Sequence, residues 1–178
     1  MLFFILSKLE VKRMAQAGIS TLGVKLSYGI ETTAGVKPTK FDVVHRINSI
    51  GGITIEPETI DASALEDTVT RSVAGRGVSA GNFTVGVNVT NDTIAEWEKV
   101  IADYEEVMDD GKRVWWQVSS PSLARSYFIA AQPPLEIPMP DIGQNELLVV
   151  EIPLTIDEFL GMSEKVEPND SNPEIEEG

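Results

Sequence analysis

The segment NFTVGVNVT, residues 82–90, alternates strictly: Phe83, Val85, Val87 and Val89 share one face, and Thr84, Gly86, Asn88 and Thr90 share the other. A period of two marks a strand half buried on a sheet, and it recurs along the chain. VKLSY (24–28) alternates Val24, Leu26 and Tyr28, and GITIEP (52–57) alternates Ile53 and Ile55. KRVWWQVSS (112–120) and ARSYFIAAQ (124–132) flank Pro121-Ser122 and predict a hairpin or a strand–turn–strand corner. NELLVVEIPLTID (145–157) predicts a long final strand. Pro153 inside it favours an edge position or a bulge, because proline cannot donate to the ladder.

One segment has a different period. TIAEWEKVIADYEEVMDDG places Ile94, Trp97, Ile101, Tyr104 and Met108 at spacings of three and four. Thr93 with Glu96 predicts a capping box, and Gly111 predicts the stop, giving one amphipathic helix at about 93–110. Its other face (Glu98, Lys99, Asp103, Glu105, Glu106) is acidic and suited to water. The expected fold is therefore mainly β, a β-sandwich or barrel with one flanking amphipathic α-helix. No internal repeat interrupts it, and a single β-domain is expected over 14–162.

Charge and cysteine content remove several function classes. The chain has no cysteine, hence no disulfide, thiol nucleophile or thiolate metal site. Its formal charge of −14 opposes salt-sensitive binding to nucleic-acid phosphates and docking on anionic membranes. SEKVEPNDSNPEIEEG, 163–178, holds six acidic residues and one basic, so it supplies −5 of that charge, and its polarity predicts a disordered acidic tail. At the other end, MLFFIL is shorter than a signal-peptide core, and SKLEVKR follows it with charges on the wrong side. Leu9-Glu10-Val11 is encodable as a ribosome-binding sequence just upstream of Met14, so residues 1–13 are read as a translated leader or a flexible arm.

Nothing in the chain assembles into a catalytic group. The single histidine, His45 in DVVHRIN, has no signalled orienting partner and reads as structural. GRGVSAG (75–81) is followed by a strand, not a helix, so its amides do not converge on an anion. The carboxylates of DYEEVMDD splay around a helix, which does not make a cation site. An enzyme is not expected, and neither is a cofactor or a metal.

Surfaces remain. FIAAQPPLEIPMP (128–140) and GIETTAGVKPTKF (29–41) are extended, and such peptide is ordered only where it lies along something. ETIDASALEDTVTRSVAGRGVSAG, 58–81, is too polar for core and too long for a tight turn.

The order of LSYGIETTAGVKPT, then GGITIEPETIDASALEDTVTRSVAGRGVSAGNFTVGVNVTNDT, a helix with EW, then KRVWWQV, AAQPP and QNELLVVEIPLTID, resembles the major tail proteins (tail tube proteins) of long-tailed bacteriophages and prophages over roughly 14–161. The resemblance implies hexameric rings that stack into a hollow tube, with DNA passing through the lumen without specific binding. It implies as partners other copies of the chain, a tail tip or initiator, a tape-measure protein and a tail terminator. It places the chain in the virion tail, and in the host cytoplasm during assembly. In that family a long loop reaches between neighbours. The matching segment here is 58–81, which makes Asp61, Glu66, Asp67, Arg71 and Arg76 the expected inter-subunit contacts, with 58–81 and 14–23 mobile in a free subunit. Two other readings stand beside it: a β-sandwich carbohydrate-binding or adhesin module, and the tube of a contractile tail or secretion apparatus. Trp115 and Trp116 are adjacent, so on a strand they point to opposite faces, and at most one could join a glycan platform.

Overall fold

A computed structural model describes residues 18–78 and 81–170. The readings for residues 1–13 and for 171–178 lie outside the described residues. Nine strands are described: β1 (Lys25–Ile30), β2 (Asp42–Val44), β3 (Ile47–Ile50), β4 (Glu56–Asp61), β5 (Ser72–Val78), β6 (Asn82–Asn88), β7 (Val114–Ser119), β8 (Arg125–Gln132) and β9 (Val149–Glu164). Among the described residues there is one α-helix, α1 (Asn91–Val107), followed by a 3-10 turn at Met108–Asp110. Seven strands form an antiparallel sheet in the order β2-β1-β7-β8-β9-β6-β3, and β4 and β5 form a separate pair.

Connectivity forces that sheet to roll up. Its two outermost strands, β2 and β3, are consecutive in the chain, joined only by His45 and Arg46. Three Cα steps reach at most about 11 Å, whereas seven flat strands would span about 29 Å at ~4.8 Å per step. The edges therefore meet at the His45–Arg46 corner, and the sheet curls into an open barrel. Arg46 takes the left-handed conformation (φ 57°) at this corner, a rare one for a residue with a Cβ. Its carbonyl accepts the Asn88 N–H of β6 at 3.0 Å.

Alternation delivers one apolar face to the barrel interior. Leu26 and Tyr28, Val114 and Trp116, Ile129 and Ala131, Val150, Ile152 and Leu154, and Phe83, Val85 and Val87 all join one buried cluster. Helix α1 adds Trp97, Val100 and Tyr104, with Trp97 stacked on Trp116 at 5.4 Å and 19°. Burial of side chains of this size stabilises by about 1.5–3 kcal/mol each before entropy is counted. Trp115 points the other way, into a second cluster with Phe41, Phe128 and Ala130 against which Val166 packs. The two tryptophans thus serve opposite faces, as their adjacency requires.

Several local expectations are corrected. The helix begins earlier: Thr90 is the N-cap, its hydroxyl accepts the Thr93 N–H at 3.1 Å, and the Thr93 hydroxyl accepts the Thr90 N–H at 2.9 Å. Glu96 does not cap, because its carboxylate is taken by His45. Met108 is exposed, and Val100 joins the buried stripe. GITIEP is mostly loop. Gly51 N–H still bonds Thr84 O at 2.8 Å, extending β3, and β4 starts only at Glu56. Strand β9 continues to Glu164, paired to Arg125 of β8, and residues 165–170 pack onto the barrel, so 163–170 are not the disordered start of a tail. Gln117 supplies the polar partner that composition could not show. Its side chain donates to Val166 O at 2.8 Å and accepts the Val166 N–H at 3.0 Å.

Pro153 is accommodated by a local edge. Pairing of β9 with β6 covers Val149–Thr155, while pairing with β8 begins only at Thr155. Even-numbered residues of β9 face β6, as Ile156 N–H to Gly81 O shows. The nitrogen of Pro153 therefore faces the side where β8 has already ended at Gln132-Pro133, and no ladder bond is lost there.

Candidate functional site

Within the stretch 58–81, the residues up to Val78 form a β-hairpin with the end of the preceding segment rather than irregular peptide. β4 and β5 pair from Glu56↔Val78 to Asp61↔Ser72, with a register shift between Pro57 and Thr59. Every residue of β4 is exposed, so neither of its faces packs on the barrel. At ~3.3 Å per residue the six residues of β4 extend about 20 Å. A two-stranded hairpin with no packed face is marginal in water, and this one also exposes Ile60, Leu65, Val69 and Val73. Ile60 and Val73 are directly opposite one another.

Three of the five expected contact residues meet at the hairpin tip. Arg71 Nε lies 3.6 Å from Asp67 Oδ1, Asp67 Oδ2 accepts the Ala64 N–H at 2.8 Å, and Asp61 Oδ1 accepts the Ser63 N–H at 2.9 Å. The bonds from the Ser63 hydroxyl and amide hold the Asp61 carboxyl below its ordinary value. These groups shape the turn from within. Glu66 and Arg76 are exposed and make no ion pair or side-chain hydrogen bond among the described residues. At the root of the hairpin lies an apolar cleft of about 700 Å³, lined by Ile47, Ile50, Ile53, Phe83, Ile129 and Phe159. The connection 133–148 lacks regular structure and exposes Leu135, Met139, Ile142 and Leu147, while Ile137 packs against the core.

Two polar centres brace the barrel, and the sequence signalled neither. Glu31, at the end of β1, is buried with four donors around it. Oε1 accepts from Trp115 Nε1 (2.8 Å) and Arg113 Nε (2.9 Å), and Oε2 accepts from Gly35 N (2.8 Å) and Arg113 N (3.1 Å). Burial works to raise its pKa, but the bonds from Trp115, Gly35 and Arg113 prevail and hold it below the ordinary carboxyl value. His45, at the barrel seam, lies between Glu96 of α1 and Asp170. Burial works to lower its pKa, but the bonds and charges of Glu96 and Asp170 outweigh that and raise it.

All three tryptophans are buried, so none is available to line a glycan-binding platform. Among the described residues no group of three or more acidic or histidine side chains is placed to hold a metal, and no helix is long and apolar enough to cross a membrane.

No protein-family model and no curated protein sequence matches the chain. Solved structures do. A chain in the tail of an empty gene transfer agent particle, determined with C6 symmetry, is 14% identical over 83% of this chain and 99% of that one, with a TM-score of 0.51. A chain in the PVC sheath–tube complex, an extracellular contractile injection system in its extended state, is 16% identical over 87% and 97%, with a TM-score of 0.53. A chain in the tube-terminating cap of the anti-feeding prophage is 16% identical over 85% and 94%, with a TM-score of 0.55. The rolled sheet with one flanking helix is thus a mainly β fold shared with chains found in these phage-like tail and injection-system assemblies. That fold agrees with the one implied by the resemblance carried by the sequence.

Proposed function

We propose that the chain is a non-enzymatic structural subunit that assembles head to tail into stacked hexameric rings, forming the tube of a phage tail through which DNA passes into the host. The observation that carries this reading is the β4–β5 hairpin, a projecting element with no packed face and exposed apolar residues, on a tail-tube fold. Such an element gains a stable setting only against another surface, and the apolar cleft at its root offers one on a neighbouring copy. Glu66 and Arg76 pair between subunits, while Asp61, Asp67 and Arg71 hold the tip in shape for contact. Exposed ion pairs contribute only about 0–1 kcal/mol each, so repetition around the ring and along the stack supplies the register. The tail tip, tape-measure and terminator proteins are the expected partners, and the net negative charge keeps DNA from adhering to the wall.

Negative-stain electron microscopy of concentrated protein tests this. Stacked-ring tubes are expected from the wild type, and folded subunits without tubes from Arg76→Glu and Arg71→Glu. Normal tubes from both variants would remove the arm assignment. Dispersed wild-type particles that bind a glycan array would favour the carbohydrate-binding reading. The similarity to the sheath–tube complex of a contractile injection system supports a second reading within the same class, a tube enclosed by a sheath. Co-purification of tubes with a contractile sheath would select it.

A further inference from the structure

The corner that closes the barrel is also where the last described segment of the chain is fastened. His45 donates its backbone N–H to Glu96 Oε2 at 3.1 Å, and its ring Nδ1 meets Glu96 Oε1. Its Nε2 lies 2.9 Å from Asp170 Oδ1, and Asp170 Oδ2 lies 2.6 Å from Lys25 Nζ of β1. One residue earlier, Asn169 lies along β2: Val43 N–H bonds Asn169 O at 3.0 Å, Asn169 N–H bonds Phe41 O at 2.7 Å, and its side-chain amide reaches Asp42 at 3.3 Å. Segment 165–170 therefore covers the free edge of β2 and, through Val166, the Trp115 cluster.

Both ring nitrogens of His45 face a carboxylate. Carboxylates only accept, so both nitrogens must donate, and only the doubly protonated imidazolium has two N–H groups. We propose that His45 is a proton-operated clasp that pins segment 165–170 to the barrel seam and loosens it when the imidazole loses a proton. Glu96 keeps the ring on the helix side, because it also holds the His45 backbone N–H. The bond to Asp170 is the one forfeited, since a neutral ring presents a lone pair there to an anion. The charged groups around the ring are Glu96 from α1, Asp170 from the C-terminal segment, Lys25 from β1 behind Asp170, and Arg46 and Asp42 within its own corner. Lys25 alone then retains Asp170 through a half-exposed pair, which loosens the segment rather than expelling it. What the loosening uncovers is a short strand edge and an aromatic cluster, the kind of surface to which another strand adds.

The direction follows from the geometry and is supported by the raised value for His45. The clasp is complete below the ordinary imidazole value and is lost as pH rises through the elevated one. Hydrogen–deuterium exchange mass spectrometry of the full-length chain at pH 6 and pH 9, corrected for intrinsic exchange, reads the amides of 165–170. Wild type should lose protection there by about three- to tenfold at pH 9. His45→Gln should match wild type at pH 9 under both conditions, with β7 protection unchanged as evidence of folding. Asp170→Asn, which keeps the histidine, should remove the pH dependence as well. Equal wild-type protection at both pH values would overturn the clasp, as would a pH-dependent loss that survives in either variant.

Discussion

Replacing Glu31 by glutamine is nearly isosteric, yet the structure makes it a severe change. All four groups around the carboxylate are donors, two on each oxygen. A glutamine amide has one acceptor oxygen and one NH2, so either orientation sets two donors against a donor. Two charge-assisted bonds are lost, at about 1.5–3 kcal/mol each, and Arg113 loses the buried half of its ion pair. Removal of one partner from a buried pair costs about 3–5 kcal/mol, and the two ways of counting agree on about 4 kcal/mol. Against the ~5–15 kcal/mol that holds a domain of this size, that is a quarter or more of the total. With a urea slope of about 2 kcal/mol/M, the midpoint of unfolding should fall by about 2 M, read by tryptophan fluorescence and far-UV circular dichroism at pH 7. The effect should fade in acid. The carboxyl titrates lower folded than unfolded, so its contribution is present above the ordinary carboxyl range and is lost as pH falls through the lowered value. A Glu31→Gln midpoint within 0.5 M of wild type (roughly 1 kcal/mol on the same slope) would refute the reasoning, because it would mean the four contacts are not jointly required.

The two stacked tryptophans should differ although both are buried. Trp116 Nε1 donates to Ala131 O at 3.0 Å, whereas Trp97 Nε1 is buried without a partner among the described residues. Trp116→Phe should therefore destabilise by about 1–3 kcal/mol more than Trp97→Phe, and equal urea midpoints would contradict it. Thr90→Ala removes the helix N-cap and should cost about 1 kcal/mol, seen as a thermal midpoint lowered by a few degrees. The double variant Leu65→Ser, Val69→Ser alters only exposed hairpin-tip residues. It should leave the stability of the subunit, read by urea unfolding, within about 0.5 kcal/mol of wild type while reducing tube formation by electron microscopy.

Alternation declared β6 and β1, whereas the alternating GITIEP fell mostly in a loop. Phe83, Val85 and Val87 are inside as their spacing requires, and so are Leu26 and Tyr28. β2 and β3 were not legible because three- and four-residue strands carry too little pattern, and their role lies in closing the sheet, which no local window contains. The polar braces were hidden for a similar reason. Glu31 meets donors 82 and 84 positions away, and His45 meets carboxylates 51 and 125 positions away. Composition misread 163–170: its polarity signals disorder in isolation, but β8 and Gln117 supply partners that composition does not see. The hairpin was visible as an anomaly, and the charged residues within it were visible individually. That Asp61, Asp67 and Arg71 turn inward to the tip while Glu66 and Arg76 stay free depends on a strand register that the sequence does not state.

The barrel and the hairpin divide the work of the chain between them. Inside the barrel, buried groups are answered locally: the Trp97–Trp116 stack joins helix to sheet, Glu31 ties β1 to β7, and the His45 corner joins the two sheet edges to α1. On the hairpin, among the described residues, no polar group is answered beyond its own ladder and turn. Local stabilisation adds little to an element whose faces both meet water, so the free energy that would hold the hairpin in one place has to come from outside the subunit. Interactions absent from the free chain cannot contribute to its folding. Substitutions on the hairpin should therefore separate assembly from stability, whereas substitutions at Glu31 or Trp116 should reduce both together. A hairpin variant that lowered the urea midpoint as much as Glu31→Gln would mean that the barrel, not a neighbour, supports the arm.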